Sequence, residues 1–460
     1  MRAIKESGRP APLSFGQRQD PCVGIFAKAM SLFRSHETPA GEENICVTVQ
    51  PDIPGFAPVP ETTISGHRAA KRTMFQTTDA SMILEIEPDT MEPIGVARQR
   101  KLHPLLKGPL SCAHAQRDPQ TGDLFNYNLE PGRVSTYRVF RTSATTGQTD
   151  IIATISMPDV KPAYIHSFCL TPSFVVFCVP STHLAFMGIS VPWNGNIIDS
   201  IEPFNESKLC KWFVIDRHHG RGVIATAESP AGFFFHSVNA FEERDAETGD
   251  ITVFCDVIEY PSTDILRSFE MDALLLGNKG NYTDTYRKGE EYVRDCQSRF
   301  ARHQFKVPGA NTGDKAVKVD SEKILEFKAP YAGELPTINA AYSTRKYRYF
   351  YSMAVRGYST LQDAIVKTDL ITRKTLMWHV EGHTPGEAIF VPRPRQAGDD
   401  DEDAEDDGVL LSVILDGFGR KSYLVCIDAK TMQELGRAEC DWAVGHGFHG
   451  CHVPPIDSSS

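Results

Sequence analysis

The chain has 460 residues, a net charge of -11 and an apolar fraction of 41%, so it can bury a large core as one domain or as two or three smaller ones. The acidic balance argues against a nucleic-acid partner, because contacts to phosphates need a basic surface. No apolar run approaches the roughly 20 residues that span a bilayer, and the first residues show no apolar core of a secretory signal.

The eleven cysteines are scattered along the chain and form no C-x-x-C pair. An odd, dispersed set argues against a disulfide framework or a zinc ribbon and favours a reducing compartment. We therefore expect a cytoplasmic protein, with association to a membrane as a further expectation.

The two ends of the chain differ from the rest. Residues 1–18 and 456–460 are predicted to be disordered. Asp20 and Pro21 suit an N-cap and a first helical position, and the following "CVGIFAKAMSLFR" carries an apolar stripe at helical spacing. Two interpretations stay open: a helix packed onto sheet edges, or a helix on a membrane surface through which a lipid-like substrate enters.

Short polar turns followed by strand-forming runs recur along the chain. Each turn contains Asp, Thr or Gly, and each run is rich in β-branched and aromatic residues, which is typical of hairpins. Recurring hairpins with few helical patterns between them predict a β-propeller or a large barrel. The segments with this pattern are "EIEPDTMEPIGVA", "RDPQTGDLFNYNL", "SATTGQTDIIATISM", "RDAETGDITVFCDVI", "DLITRKTLMWHV" and "IDAKTMQELGRAEC".

An acidic run interrupts the later part of this pattern. Residues 399–407 read "DDDEDAEDD" and contribute eight acids. We interpret residues 397–408 as a solvated, disordered insertion between two strands. A calcium site is less well supported, because the run lacks the glycine-turned loop of an EF-hand.

Four of the fifteen histidines lie among apolar residues or glycines: His114, His166, His236 and His449. None belongs to an H-x-x-x-H or H-E-x-x-H pair, so each comes from a separate strand or loop. A lone histidine in such surroundings is commonly a core residue. Four imidazoles that converge on the axis of a radially repeating fold would instead suit Fe(II), Zn(II) or Cu(II).

The segments around these histidines resemble, in the same order, those of the carotenoid cleavage oxygenase family, which includes the retinal pigment epithelium isomerase and the stilbene cleavers. They read "KGPLSCAHAQRDPQTGDLFNY", "YIHSFCLTPSFVVF", "FFFHSVNAFEE" and "GFHG". Two more segments, "GELPTINAAYSTRKYRYFY" and "PGEAIFVPRP", resemble family segments that carry acidic residues. The resemblance covers roughly residues 15–455 and is to the fungal branch of the family.

This resemblance implies an all-β fold, with residues 19–455 forming one seven-bladed β-propeller under a dome of helices and loops. It implies one Fe(II) per subunit on the propeller axis. By motif, its ligands would be His114, His166, His236 and His449. The neighbouring His446 and His452 do not match the motif.

The resemblance also implies carboxylates that hold the outer ring nitrogens of the ligand histidines, which sets the tautomer and the direction of each ring. By motif these are Glu334 and Glu387, with Asp79 of "FQTTDASM" at a position where the family has glutamate. Because aspartate is shorter by one methylene, we expect its hydrogen bond to be longer or its backbone to be shifted.

The implied reaction is oxidative cleavage of a C=C bond in a carotenoid or apocarotenoid by O2, giving two carbonyl products without a side-chain general base. The hydrophobic polyene is expected to contact Thr78, Phe168, Phe235 and Phe448. The stilbene cleavers carry a lysine immediately before the carboxylate, where this chain has Thr78. A carotenoid is therefore favoured over a stilbene.

Sequences of this family begin with a longer N-terminal region, so we expect the first blade to be incomplete and to leave an unpaired edge. Two alternatives to the carotenoid oxygenase stay open. One is a stilbene- or phenylpropene-cleaving enzyme of the same fold. The other is a propeller that binds an apocarotenoid or a protein partner without turnover.

Overall fold

The structure is a computed structural model that describes residues 15, 45, 47–56, 73–270, 296–309, 315–356, 361–394 and 405–453. Within these ranges the chain consists mainly of β-strands and turns, and consecutive strands join into six largely antiparallel sheets. The predicted all-β class is confirmed. The helix predicted after Asp20 and the tail 456–460 lie outside the described residues.

The strands of the first three sheets follow one another along the chain. Sheet 1 contains β1 (Thr48–Pro51), β2 (Met74–Thr77), β3 (Met82–Ile86) and β4 (Pro93–Arg98). Sheet 2 contains β5 (Gln116–Arg117), β6 (Leu124–Glu130), β7 (Thr136–Thr142) and β8 (Thr149–Ile155). Sheet 3 contains β9 (Cys169–Leu170), β10 (Phe174–Val179), β11 (Cys210–Asp216), β12 (Val223–Ser229) and the parallel edge strand β16 (Val317–Lys318).

The other three sheets repeat the same antiparallel order. Sheet 4 contains β13 (Phe233–Arg244), β14 (Ile251–Tyr260), β15 (Arg299–Val307) and β17 (Ser321–Lys328). Sheet 5 contains β18 (Glu334–Thr337), β19 (Tyr349–Ala354), β20 (Ala364–Asp369) and β21 (Thr375–Trp378). Sheet 6 contains β22 (His383–Pro385), β23 (Ile389–Pro392), β24 (Gly408–Asp416), β25 (Lys421–Asp428) and β26 (Glu434–Glu439).

Helices are short in the described ranges. The α-helix is α1 (Ser190–Asn194). The 3-10 helices are Gln99–Lys101, Ala185–Gly188, Ile198–Ser200, Asp264–Phe269 and Ala340–Tyr342. None of the helices described combines the length and the apolar character that a membrane crossing requires.

A repeated aspartate turn explains the predicted hairpins. One side-chain oxygen of the aspartate accepts hydrogen bonds from the backbone amides two and three residues further on, which closes the turn. The aspartates with this role are Asp118, Asp245, Asp369, Asp416 and Asp428. The fourth residue after the aspartate is left-handed at Gly122, Gly249, Arg373, Arg420 and Met432, where glycine is the least strained choice.

Consecutive sheets pack face to face because alternate residues of a strand point to opposite sides. In β10, Val175, Phe177 and Val179 pack toward sheet 2, whereas Phe174 and Val176 pack toward sheet 4. Similar apolar layers join sheets 1 and 2, sheets 4 and 5, and sheets 5 and 6. This serial packing is the arrangement of a β-propeller.

The predicted count of seven blades is not confirmed, since the described strands form six sheets. Sheet 1 is a four-stranded antiparallel sheet in the described residues. The expectation of an incomplete first blade therefore finds no support in sheet 1.

The acidic run is ordered at its C-terminal end. Glu405 accepts hydrogen bonds from the backbone amides of Arg348 and Tyr349 at 2.7 and 2.6 Å. Asp406 is 6% exposed and pairs with the ammonium of Lys367 at 2.5 Å. The prediction of a solvated insertion is wrong for these acids, because amides and a cation of sheet 5 compensate their burial. Residues 397–404 lie outside the described residues.

Within the segment predicted to be disordered, Phe15 is described. Its ring lies 5.5 Å from the ring of Tyr164 and 6.2 Å from that of Phe269, and its carbonyl accepts a hydrogen bond from the amide of Ile198. The other residues of 1–18 lie outside the described residues.

We expect Asp428→Ala to destabilise the protein by about 1 kcal/mol, the cost of losing a comparable helix cap. The carboxylate accepts from the amides of Lys430 and Thr431 at 3.1 and 2.7 Å, and alanine leaves both amides without this acceptor. Asp428→Asn keeps an acceptor oxygen and should retain most of the stability. Thermal unfolding of the two variants measures the difference, and equal losses would contradict the role given to the turn.

Candidate metal centre

The four predicted histidines come from four different places along the chain. His114 lies two residues before β5, and His166 lies three residues before β9. His236 lies within β13, and His449 lies in the loop that follows β26. Three of them therefore lie on or next to the first strand of their sheet.

Local irregularities in strand pairing occur at His236 and at its partner Glu334. The pairing of β13 with β14 shifts between Phe234 and Ser237, so that His236 lies in a bulge. The pairing of β18 with β19 shifts just after Glu334. A bulge turns a side chain away from the regular alternation, and here it brings the imidazole of His236 to the carboxylate of Glu334.

The structure brings the four imidazoles together. One ring nitrogen from each of His114, His166, His236 and His449 lies within 4.8 Å of the others. The Nε2 atoms of His114 and His166 are 3.1 Å apart, as are those of His236 and His449. The cluster can therefore hold a metal ion through four nitrogen ligands.

Three carboxylates hold the outer Nδ1 atoms of this cluster. Asp79 Oδ2 lies 2.7 Å from Nδ1 of His166, Glu334 Oε2 lies 2.6 Å from Nδ1 of His236, and Glu387 Oε1 lies 3.0 Å from Nδ1 of His449. In the described part of the chain, no carboxylate holds His114 in this way. An ionised carboxylate only accepts hydrogen bonds, so a ring beside an ionised carboxylate carries its proton on Nδ1 and directs the Nε2 lone pair inward.

The Asp79 contact of 2.7 Å lies between those of Glu334 at 2.6 Å and Glu387 at 3.0 Å, so the shorter side chain does not stretch it beyond the range of the glutamates. The aspartate reaches its histidine because its backbone lies close to the segment that carries His114. The backbone amide of Ser111 donates to the Asp79 carbonyl at 3.0 Å, and the amide of Ala113 donates to Asp79 Oδ1 at 3.0 Å.

Burial favours the neutral form of His114 and His236. It lowers the pKa of His114 well below its ordinary value, and repulsion from His449, His166 and His236 lowers it further. Burial likewise lowers the pKa of His236. Neutral imidazole is the form that binds a metal.

Glu334 is a buried carboxyl group beside His236. Burial raises its pKa to about 8, while hydrogen bonds from the hydroxyl of Tyr260 and the amide of Leu335 act in the opposite direction. A bound divalent cation would favour the ionised form of this group, because the charge of the ion reverses the local cost of a negative charge.

The glycine-rich loop at the end of the described chain fits closely around Glu387. The amide of Gly450 donates to Glu387 Oε2 at 2.9 Å, next to the bond between Glu387 and His449. A Cβ atom at Gly450 would lie 2.9 Å from the side chain of Ile389, so glycine permits this approach. His446 and His452 lie outside the cluster of four.

Aromatic rings lie beside the cluster. The ring of Phe235 is 5.4 Å from His166 and 5.6 Å from Phe269, and Phe269 is 6.2 Å from Phe448. Phe235 is 7% exposed and Phe448 is 39% exposed. The rings thus form a series of neighbours from His166 to the partly exposed Phe448.

The other two residues predicted to contact substrate lie elsewhere. Phe168 is 1% exposed and belongs to the apolar layer between sheets 2 and 3, where its ring lies 6.4 Å from Phe177. This position favours a packing role for Phe168. Thr78 lines a small cavity together with Thr77, Cys112 and other residues.

Sequence analysis missed Tyr164 and Phe269. The hydroxyl of Tyr164 donates to Asp79 Oδ2 at 2.8 Å, and burial, followed by the charge of Asp79, raises its pKa well above the ordinary value. Tyr164 precedes His166 by two residues in an extended segment, and that spacing places both on one face. For Phe269, which ends a short helix far along the chain, no sequence signal was present.

Comparison with known proteins gives the family. The family model described as retinal pigment epithelial membrane protein matches residues 15–454. The chain belongs to this family. The chain is 44% identical over 462 residues to a torulene dioxygenase of Gibberella fujikuroi, covering 98% of this chain and 78% of that protein. It is 46% identical over 478 residues to a carotenoid dioxygenase of Neurospora crassa, covering 99% and 77%.

Solved structures support the propeller fold of this member of the family. Cobalt-substituted ACO of Synechocystis superposes with a TM-score of 0.60 at 22% identity, covering 82% of this chain and 71% of that one. An ACO/RPE65 chimera superposes with a TM-score of 0.61 at 21% identity, covering 82% and 72%. The similarity confirms the propeller fold.

We expect His166→Ala to abolish stable metal binding. Loss of an outer hydrogen-bond partner alone typically costs about 10- to 100-fold in metal affinity, and this change removes a ligand nitrogen. The matched control is His452→Ala, which removes an exposed imidazole outside the cluster. Metal per chain after anaerobic loading with Fe(II) measures both, and normal iron content in His166→Ala would contradict the assignment.

Proposed function

We propose that this protein is a carotenoid-cleavage oxygenase that uses O2 to cleave a C=C bond of a carotenoid or apocarotenoid into two carbonyl products. The observation that carries this proposal is the cluster of four imidazoles, with no carboxylate among its inward-facing atoms in the described part of the chain. The names of the fungal relatives, torulene dioxygenase and carotenoid dioxygenase, support it.

The donor set fits one Fe(II) per chain, because neutral imidazole suits ferrous iron. The residues that would hold the ion are His114, His166, His236 and His449. When bound, Fe(II) supplies the activation of O2 beside the alkene. Asp79, Glu334 and Glu387 keep the Nδ1 protons pointing outward, so the Nε2 lone pairs stay available to the metal.

The aromatic path is the proposed substrate route. Phe235 and Phe269 offer an apolar surface next to His166, and the half-exposed Phe448 lies at its outer end. Such a surface stacks against a conjugated polyene and excludes water from the reacting bond. The absence of a lysine at Thr78 favours a polyene over a phenolic stilbene.

We expect iron-loaded protein to convert torulene or β-apocarotenals to aldehydes and to leave resveratrol unchanged. Product identification by mass spectrometry with 18O2 measures the reaction and shows whether oxygen from O2 enters the products. His166→Ala is the inactive control. Cleavage of resveratrol alone would support the stilbene alternative, and retained iron with polyene binding but no product would support a binding propeller.

Peripheral membrane contact is part of the same proposal, because a polyene resides in lipid. Phe186, Met187 and Ile189 are 77%, 48% and 53% exposed, and Phe186 and Met187 have positive φ angles of 51° and 56°. Apolar side chains displayed on a strained turn are typical of an interaction surface.

We expect Phe186→Ser combined with Met187→Ser to lower binding to phosphatidylcholine vesicles, because these side chains would lose their contact with lipid. Vesicle flotation of the variant and of the native protein measures the change. The control is Phe418→Ser, which replaces a 76% exposed phenylalanine in the turn between β24 and β25. Equal flotation of all three proteins would contradict this surface.

A further inference from the structure

Tyr164 is held firmly beside the metal centre. Its side chain is 4% exposed, and its ring lies between those of Phe15 at 5.5 Å and Phe233 at 6.0 Å. These contacts fix the ring plane and leave the hydroxyl little freedom to choose another partner.

The hydroxyl of Tyr164 forms a closed group with Asp79 and His166. It donates to Asp79 Oδ2 at 2.8 Å and lies 3.0 Å from His166 Nδ1, while Nδ1 lies 2.7 Å from the same Oδ2. Because the carboxylate can only accept, both the hydroxyl and the Nδ1–H must donate to it. The alternative tautomer would place the Nδ1 lone pair against the carboxylate oxygen, so this group selects the form whose Nε2 can bind metal.

The other oxygen of Asp79 reaches a second ligand segment. Oδ1 accepts from the amide of Ala113, which directly precedes His114. The thiol of Cys112 in that segment donates to the carbonyl of His166 at 2.7 Å. One aspartate therefore connects the backbone next to His114 with the imidazole of His166.

We propose that Tyr164 is a positioning residue that acts through Asp79. Its hydroxyl holds the short aspartate where one oxygen orients His166 and the other secures the segment of His114. Asp79 and Tyr164 together thus orient the histidine, a role that the resemblance assigns to a longer glutamate. This inference rests on the proposed metal centre and adds a residue that the histidine and carboxylate motifs do not contain.

The test is a titration of the metal-free, full-length protein with Co2+, followed by its visible absorption spectrum. We expect Tyr164→Phe to weaken Co2+ binding by about 10-fold, the lower end of the range for lost outer partners, and to shift the absorption bands of the bound ion. In an Asp79→Asn background the same change should have no further effect on affinity, because Tyr164 acts through the carboxylate.

Tyr137→Phe is the matched control. Tyr137 is 0% exposed, and its hydroxyl donates to the carbonyl of Lys161 and accepts from the amide of Ala163, both at 2.8 Å. The Tyr137→Phe variant loses the same kind of buried hydrogen bond, but Tyr137 does not contact Asp79. The Co2+ affinity and spectrum of this variant should therefore match those of the native protein. The inference is overturned if Tyr164→Phe also matches the native protein, or if its effect adds fully to that of Asp79→Asn.

A second variant answers the question if Tyr164→Phe does not fold. Asp79→Asn replaces the carboxylate through which Tyr164 is proposed to act, so we expect weaker Co2+ binding, and affinity equal to that of the native protein would overturn the inference. Cleavage of polyenes by the native protein is a separate readout. If the native protein cleaves no polyene, the proposed reaction is refuted. The ratio of the Co2+ affinities of Tyr164→Phe and the native protein would still decide the role of Tyr164.

Discussion

The constraint on which the rest of the structure depends is that four imidazoles meet in one place. Burial and mutual repulsion disfavour protonated rings there. A neutral ring can direct either of its nitrogens inward, so interactions outside the cluster must fix the tautomer. Hydrogen bonds from Nδ1 to Asp79, Glu334 and Glu387 fix the tautomer of three of the rings.

Two of these hydrogen bonds connect different sheets. Asp79 follows β2 of sheet 1 and holds His166 at the start of sheet 3, and Glu334 of sheet 5 holds His236 of sheet 4. The geometry of the centre therefore depends on how the sheets pack against one another. The apolar layers between consecutive sheets position these residues.

Much of the site was predictable because its residues lie in distinctive local patterns. Histidines among phenylalanines and glycines stand out, and the aspartate turns repeat with the same spacing in several hairpins. The errors arose where a residue's role depends on a distant neighbour. Glu405 and Asp406 belong to a run that the sequence predicts to be solvated, but the backbone amides of Arg348 and Tyr349 and the ammonium of Lys367 bind them.

The sequence alone determined the all-β class and the hairpin turns, because short-range spacing and side-chain chemistry express these properties directly. The set of four histidines and the acidic residues that accompany them came from the resemblance of their segments to the family. Only the tertiary structure decided which carboxylate meets which ring, that Asp79 reaches His166 at 2.7 Å, and that Tyr164 joins them. Those contacts join residues up to 98 positions apart, and distances over such separations are set by the packing of whole sheets.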